Sequence, residues 1–167
     1  MVIAFSTRRL SVKEVSRNVS LVEQQALIKS IPDILTPEVV ECLPVYFHGI
    51  DNEDRAGIWL DKMMLESRLM TVSSDSGQTI GFLFASTDNG RCVHIGYLLA
   101  KEHWGQGLAS DLITGFITEV VNTQSWTSLI AGVDPANLGS IKLLTKCGFV
   151  QRFMNEQGVI FYEYRLR

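Results

Sequence analysis

Two glycines one residue apart separate a strand-like apolar run from a helical pattern in the segment KEHWGQGLASDLI, residues 101–113. The first turn of a helix leaves backbone N–H groups unpaired and carries partial positive charge. At Gly105 and Gly107 no side chain would keep a phosphate away from such groups. The segment therefore favours an anion-binding loop, although the same glycines also suit a plain tight turn from strand to helix.

Two well-known phosphate loops fit this segment poorly. A Walker loop needs Lys followed by Ser or Thr after its last glycine, and Leu108-Ala109 does not supply that pair. A dinucleotide fingerprint fits better, since Ser110 stands where its third glycine belongs and Asp134 follows at roughly the 20-residue distance of a ribose-binding acid. That fingerprint opens a doubly wound parallel sheet, however, whereas antiparallel strand patterns precede the loop here.

A second segment, DPANLGSIKLLTKCGF at residues 134–149, carries the patterns of a helix start and a helix end. Asn137 and Ser140 stand at its beginning, and Gly148-Phe149 lies just past its end. Taken in order, the two segments resemble the GNAT superfamily of acyl-coenzyme A dependent N-acyltransferases. The resemblance is strong from about Leu69 to the C-terminus.

The match extends to individual motif positions. The pyrophosphate loop of the family has the form Arg/Gln-x-x-Gly-x-Gly/Ala, and Trp104, Gly107 and Ala109 occupy its positions, with Trp104 in place of Arg or Gln. A second family element, Asn-x-x-Ser/Ala-x-x-Leu-x-x-x-x-Gly-Phe, is matched by Asn137, Ser140, Leu143, Gly148 and Phe149. The run HIGYLLAKEHWGQGLAS is most similar to the branch that includes bacterial N-terminal acetyltransferases of ribosomal proteins.

The resemblance implies a binding site for acetyl-coenzyme A (acetyl-CoA), the acyl donor. The strand that ends at Ala100 would splay from the next strand, so that pantetheine pairs with backbone groups near Leu98 and Leu99. The pyrophosphate would meet N–H groups in the loop, whose residues are Trp104, Gly105, Gln106, Gly107, Leu108, Ala109 and Ser110. Asn137 has two interpretations, as a helix cap or as a hydrogen-bond partner of pantetheine.

Acyl transfer from a thioester to an amine needs a neutral amine, stabilisation of the oxyanion and, in some enzymes, a proton for the leaving thiolate. The resemblance implies that a backbone N–H near Leu98 or Leu99 stabilises the oxyanion. Many relatives carry a tyrosine acid where this chain has Leu144, so Ser140 is the candidate acid, with a plain helix-start role as the alternative. His94 is the candidate base because imidazole titrates near neutrality, although a lone histidine in a strand is often structural.

Composition excludes several other classes of function. The formal net charge of -3 gives no general electrostatic reason to bind nucleic acid or an anionic membrane. Cys42, Cys92 and Cys147 are widely spaced without neighbouring histidines, so we expect no disulfide framework and no metal site. The N-terminus lacks the pattern of a signal peptide, and a cytoplasmic location is expected.

The pattern of elements favours an α+β fold. Strand patterns are expected around residues 8–15, 68–74, 79–87, 92–100, 128–133, 149–154 and 159–166. Helical patterns cover 21–35, 37–66 with a break near residues 48–54, 108–121 and a segment after residue 137. We expect a single GNAT domain over residues 1–167, with a mostly antiparallel sheet that is splayed in the middle and has helices on both faces.

The leading hypothesis is an N-acetyltransferase that uses acetyl-CoA and direct attack by a primary amine in a ternary complex. A protein or peptide N-terminus, possibly of a ribosomal protein, is favoured over a small amine. The alternative is an acyl-CoA-binding sensor or interaction module of the same fold. Either a monomer or a homodimer fits the sequence.

Overall fold

The computed structural model describes residues 1–87 and 90–167, and its strands form one eight-stranded sheet. The strand order is β1-β2-β3-β4-β5-β6-β8-β7, and all neighbours are antiparallel except β5 and β6. The strands are β1 (Ala4–Ser6), β2 (Leu10–Glu14), β3 (Arg68–Ser74), β4 (Thr79–Ser86), β5 (Cys92–Leu99), β6 (Ser128–Val133), β7 (Val150–Met154) and β8 (Ile160–Arg165). The predicted α+β fold with a mostly antiparallel sheet is confirmed.

The described helices are α1 (Leu21–Ile34), α2 (Pro37–Val40), α3 (Glu53–Glu66), α4 (Leu108–Thr123) and α5 (Leu138–Lys146). Short 3₁₀ turns cover Val45–Phe47 and Lys101–His103. None of the helices in residues 1–87 and 90–167 combines the length and the apolar character needed to span a bilayer.

The sequence pattern overestimated the helix that begins at Pro37. It predicted helical structure from Pro37 to the break near residues 48–54, whereas α2 ends at Val40. Pro44 explains the early end, because proline lacks a backbone N–H and disfavours helical geometry in the residue before it. The three-residue strand β1 was not predicted, since it is too short to show alternation. The DNGR segment at residues 88–91, where the sequence predicts a turn between two strand patterns, lies partly outside the described residues.

The two faces of the sheet carry separate hydrophobic cores. Helices α4 and α5 cover one face, where Leu112, Phe116 and Leu144 are fully buried against strands that include β5 and β6. Helices α1 to α3 cover part of the opposite face, where Trp59 packs edge-on against Phe82. Helices therefore lie on both faces, as expected, and the central strands are held from both sides.

The sheet parts between β5 and β6. Residues Cys92–Ile95 of β5 pair in parallel with Ser128–Ala131 of β6, and the pairing of these two strands ends there. Strand β6 continues to pair with β8 as far as Val133. In the described chain, the last four residues of β5 (96–99) have no partner on the β6 side. The predicted splay is confirmed, and it leaves a free backbone edge in the middle of the sheet.

Candidate functional site

The free edge of β5 exposes backbone groups of alternate residues. The N–H of Ala100 donates to the carbonyl of Ile80, and antiparallel pairing alternates from there along the strand. The backbone groups of Leu98 therefore point toward β4, and those of Tyr97 and Leu99 point into the gap. Of the two residues expected to offer backbone groups to pantetheine, Leu99 therefore faces the gap, whereas Leu98 does not.

Trp104 closes one end of this free edge. Its indole Nε1 donates to the carbonyl oxygen of Leu99 at 2.8 Å, directly after the 3₁₀ turn Lys101–His103. Its side chain is 47% exposed, so the indole lies at the surface beside the loop. The family position that relatives fill with Arg or Gln is used here for a contact within the protein.

The start of α4 leaves its first N–H groups open. Gly107 is the residue before the helix, in the left-handed region at φ 77°, and no described side chain caps the helix there. In contrast, α1, α3 and α5 begin with side-chain caps from Ser20, Asn52 and Asn137. The loop and first turn thus present backbone donors of the kind that bind an anion.

Arg9, in the turn between β1 and β2, lies against this loop. Its Nε donates to Asp111 Oδ2 at 2.8 Å, and its NH1 donates to the carbonyl of Gln106 at 2.6 Å. A Cβ built on Gly107 would lie 3.3 Å from Arg9 NH2. No cation was predicted at the loop, but the fold brings this guanidinium there from 97 residues away.

The first turn of α5 lies beside the free segment of β5. Asn137 Oδ1 accepts from the N–H of Ser140 at 3.1 Å, which shows the capping interpretation of Asn137 directly. The Tyr97 hydroxyl donates to Ser140 Oγ at 3.2 Å. The predicted residues Asn137 and Ser140 are therefore brought together with Tyr97, which was not among the predicted site residues.

Burial of Tyr97 raises its pKa to about 12, and the hydrogen bond with Ser140 only partly offsets this effect. The phenol thus stays protonated over the range in which proteins are usually assayed. Leu144, at the motif position where relatives carry a tyrosine acid, is fully buried in the main core. A phenol still reaches α5, but it comes from β5 rather than from the helix itself. Strand alternation was the available signal, because it places Tyr97 with Val93 and Ile95.

His94 lies on the opposite face of the sheet from Ser140. Along β5 its neighbours Val93 and Ile95 are buried in the core under α4 and α5, so His94 faces the other way. The His94 ring is exposed and meets the ring of Phe161 edge-on, with centroids 6.4 Å apart. The structure therefore keeps the two predicted catalytic residues on different sides of the gap.

The sheet face around His94 is open. Phe153 stacks on Phe161 with centroids 4.8 Å apart and is 57% exposed. Gly132, the partner of Phe161 across β6 and β8, is exposed as well. Helices α1 and α3 contact the sheet mainly at β4 and β3, so the surface formed by Phe153 and Phe161 beside His94 stays accessible. We call this surface the aromatic ledge.

The described residues contain no cluster of three His, Cys, Asp or Glu side chains placed to hold a metal ion. The three cysteines are free thiols. Cys147 lies near the site, with its sulfur 4.0 Å from Ser110 Oγ.

Solved structures with this fold come from several bacterial acetyltransferases. A GNAT-family acetyltransferase from Bacillus anthracis superposes with a TM-score of 0.77 at 15% identity, over 98% of this chain and 99% of that one. The spermidine N-acetyltransferase of Vibrio cholerae, in complex with CoA and spermine, gives a TM-score of 0.77 at 16% identity, over 96% and 97%. At such identities the likeness shows the fold alone.

Two Bacillus proteins are similar in sequence. The chain is 38% identical to the uncharacterized N-acetyltransferase p20 of Bacillus licheniformis over 71 residues, which cover 42% of this chain and 39% of p20. It is 23% identical to YkkB of Bacillus subtilis over 131 residues, or 73% of this chain and 71% of YkkB. The match therefore spans well under half the length of p20.

The family model described as the Acetyltransferase (GNAT) domain matches residues 29–150 of this chain. This range includes the β5 free edge, the glycine loop and the whole of α5. Since the match covers more than half of the chain, the chain belongs to the GNAT family of acetyl-CoA-dependent N-acetyltransferases.

Proposed function

We propose that this protein transfers the acetyl group of acetyl-CoA to the α-amino group of a protein or peptide N-terminus, by direct attack within a ternary complex. The observation that carries the proposal is the free edge of β5 lying next to the open first turn of α4. In this proposal residues 1–167 act as one catalytic domain.

The residues present fit the donor. A Cβ built on Gly105 would have no atom within 4 Å, so the outer side of the loop is open to a ligand. The N–H groups of Leu108, Ala109 and Ser110 in the first turn of α4 would hold the pyrophosphate, with those of Gln106 and Gly107 beside them. Tyr97 and Leu99 offer backbone groups to pantetheine along the gap. Acetyl-CoA supplies an activated thioester carbonyl to this site.

Residues around the gap would divide the chemical work. A backbone N–H of β5 that points into the gap, such as that of Leu99, would donate to the oxyanion. Ser140, on the α5 side, would donate a hydrogen bond toward the sulfur as its negative charge develops. His94, on the open face, would accept the proton lost by the attacking amine, directly or through water. Acceptor and leaving group would thus be served from opposite faces.

The open face supports a peptide acceptor. An extended chain end can lie along the ledge of Phe153 and Phe161, whereas an enclosed pocket would select a small amine. An α-amino group also demands less from the base, since its usual pKa is about 8 against about 10.4 for lysine. The similarity to the ribosomal-protein branch supports the same class of acceptor.

The test is CoA-thiol release from acetyl-CoA with an amine panel, in which peptides with free N-termini are compared with the same peptides blocked at the N-terminus. Spermine and spermidine form the small-amine arm, because a relative in fold was solved with spermine. We expect release that depends on a free N-terminal amine, with the acetyl group found there by mass spectrometry. Faster release with polyamines would overturn the peptide assignment.

The second candidate is a sensor that binds acetyl-CoA without transfer. Leu144 favours it, because this fully buried side chain stands at the α5 position where relatives carry a tyrosine acid. Tight CoA binding by calorimetry, with no acceptor-dependent release across the panel, would establish the sensor and overturn the enzyme.

A further inference from the structure

We propose that Tyr97 is a positioning residue for Ser140: its hydroxyl occupies an acceptor site on Ser140 Oγ and so directs the Ser140 proton toward the thioester sulfur. This inference rests on the proposed function. Tyr97 lies on β5, outside the glycine loop and the α5 motif, whereas Ser140 lies on α5.

The geometry begins with where Tyr97 lies. It belongs to the last four residues of β5, which have no β6 partner anywhere in the described chain. Its side chain projects to the α5 side and reaches Ser140 Oγ at 3.2 Å. This contact places the Ser140 hydroxyl beside the part of β5 that borders the gap, where the thioester of a bound donor would lie.

Ser140 is held at two points. Its backbone N–H donates to Asn137 Oδ1 at 3.1 Å, which anchors the first turn of α5. Its hydroxyl oxygen accepts from Tyr97, and residues 1–87 and 90–167 contain no further hydrogen-bond partner for that hydroxyl. A serine hydroxyl offers one proton and two lone pairs. With one lone pair taken by a donor, its own proton remains available for an acceptor in the gap.

The direction of the hydrogen bond follows from the chemistry of the two hydroxyls. A phenol is more acidic than an aliphatic alcohol, so it is the better donor of the pair. Donation by Tyr97 also polarises the Ser140 O–H, because hydrogen bonds in a chain strengthen one another. The thioester sulfur would therefore face a Ser140 hydroxyl whose position is fixed and whose O–H is a stronger hydrogen-bond donor.

Tyr97 does not serve as the net acid. Its pKa is raised to about 12 by burial, whereas a free thiol has a pKa of about 8.5. Proton transfer from this phenol to a thiolate would therefore run uphill. When the C–S bond breaks, the electron pair goes to sulfur, which receives a hydrogen bond from Ser140 and finally a proton from water. Tyr97 keeps its proton throughout.

The first experiment tests the hydrogen bond without coenzyme. Urea unfolding is measured for the wild type, Tyr97→Phe, Ser140→Ala and the double variant, with Tyr162→Phe as the matched control. Tyr162 is buried in the same core, but it makes no described contact with Ser140. We expect both single variants to lower the urea midpoint of unfolding. The double variant should be no less stable than the less stable of the two single variants. Additive losses would overturn the contact.

The second experiment tests the positioning role. Tyr97→Phe is expected to lower kcat about tenfold, the worth of roughly one hydrogen bond, and to leave KM for the amine and the calorimetric Kd for CoA within about twofold. In the Ser140→Ala background, Tyr97→Phe should change kcat by less than about twofold. A tenfold loss that persists without the Ser140 hydroxyl would show that Tyr97 acts independently of Ser140, and would overturn the inference.

The results of these experiments distinguish a failure of the Tyr97 role from a failure of the proposed function. Wild-type protein that binds CoA but acetylates no amine in the panel would overturn the proposed function, and the inference with it. Wild-type protein that acetylates an amine, with an unchanged kcat in Tyr97→Phe, would overturn the inference alone. Where the wild type is active, Tyr162→Phe is expected to keep wild-type kinetics.

Discussion

The indole Nε1 of Trp104 donates to the carbonyl oxygen of Leu99 at 2.8 Å, so the glycine loop is tied to the end of β5 by a side chain. The backbone of Leu99 faces the gap, where a strand-like ligand would pair. A ligand donor that takes the place of the indole on this carbonyl displaces it, whereas a ligand that uses only the Leu99 N–H leaves the indole in place. The environment of Trp104 therefore distinguishes two modes of coenzyme binding.

Trp104 should report coenzyme binding through its fluorescence. Trp59 and Trp126 are 2% and 7% exposed, so a ligand at the loop would change mainly the emission of the 47% exposed Trp104. We expect CoA to shift the emission maximum, and we expect Trp104→Phe to abolish the shift while calorimetry still detects binding. A shift that survives in Trp104→Phe would place the coenzyme near another tryptophan.

Gly107→Val should remove coenzyme binding. The left-handed φ of 77° strains a branched residue by about 1–2 kcal/mol, and the added Cβ would press on Arg9 NH2 at 3.3 Å. Gly77→Val is the matched control, because its φ of 86° imposes similar strain in the β3–β4 turn with no atom within 4 Å. We expect comparable losses of thermal stability, with CoA affinity reduced more than about tenfold only in Gly107→Val. Equal affinities would refute the assignment of the pyrophosphate to this loop.

His94→Ala should lower kcat/KM by about 10²-fold or more if imidazole is the base. The informative measurement is the full pH–rate profile, whose ascending limb should disappear in the variant. His48→Ala is the control, since that ring is exposed and bonds to the Leu43 carbonyl. A wild-type profile in His94→Ala would leave proton removal to water or to another group.

Glu14→Gln should destabilise the fold at neutral pH. The Glu14 carboxylate accepts from Arg68 Nε at 2.9 Å and from Arg68 NH2 at 2.8 Å, as well as from the Ile3 N–H. We expect a loss of about 1–3 kcal/mol in the free energy of unfolding, because a partly buried arginine loses its charged partner. Glu66→Gln, which breaks the exposed helical pair with Lys62, should cost less than about 0.5 kcal/mol.

The same ion pair should make stability depend on acid pH. Burial raises the pKa of Glu14, but the hydrogen bonds and charge of Arg68, with the Ile3 N–H, outweigh it and leave the pKa below the usual 4.5. A lowered folded pKa means that the stabilisation is complete above the usual value and is lost as pH falls below it. The difference in unfolding free energy between wild type and Glu14→Gln should therefore shrink below about pH 4.5. A difference that stays constant down to pH 3 would contradict this account.

Local sequence signals predicted the parts of the site that neighbouring residues determine. The glycine turn at Gly107 and the helix cap by Asn137, which was one of two interpretations of that residue, are short-range features, and the structure contains both. The splay between β5 and β6 was predicted from the resemblance to the family rather than from any local sequence signal. The strand patterns located the long strands within a residue or two, because alternation over five or more residues is specific.

Contacts between distant segments were not predictable in this way. Arg9 meets Asp111 across 102 residues, and Tyr97 meets Ser140 across 43. Each contact depends on which strand borders which helix, and one sequence without its topology does not contain that information. The direction of the Leu98 backbone was missed for a related reason, since it depends on the pairing register of β4 and β5.

The parting of β5 from β6 also makes the last residues of β5 unequal in how they meet the solvent. The amide N–H groups of Gly96 and Leu98 point toward β4, where they form hydrogen bonds, while those of Tyr97 and Leu99 face the gap. Hydrogen exchange should therefore alternate along one short strand, slow then fast from residue to residue. A coenzyme that completes the sheet would erase this alternation, so that the bound donor takes the part of a missing strand.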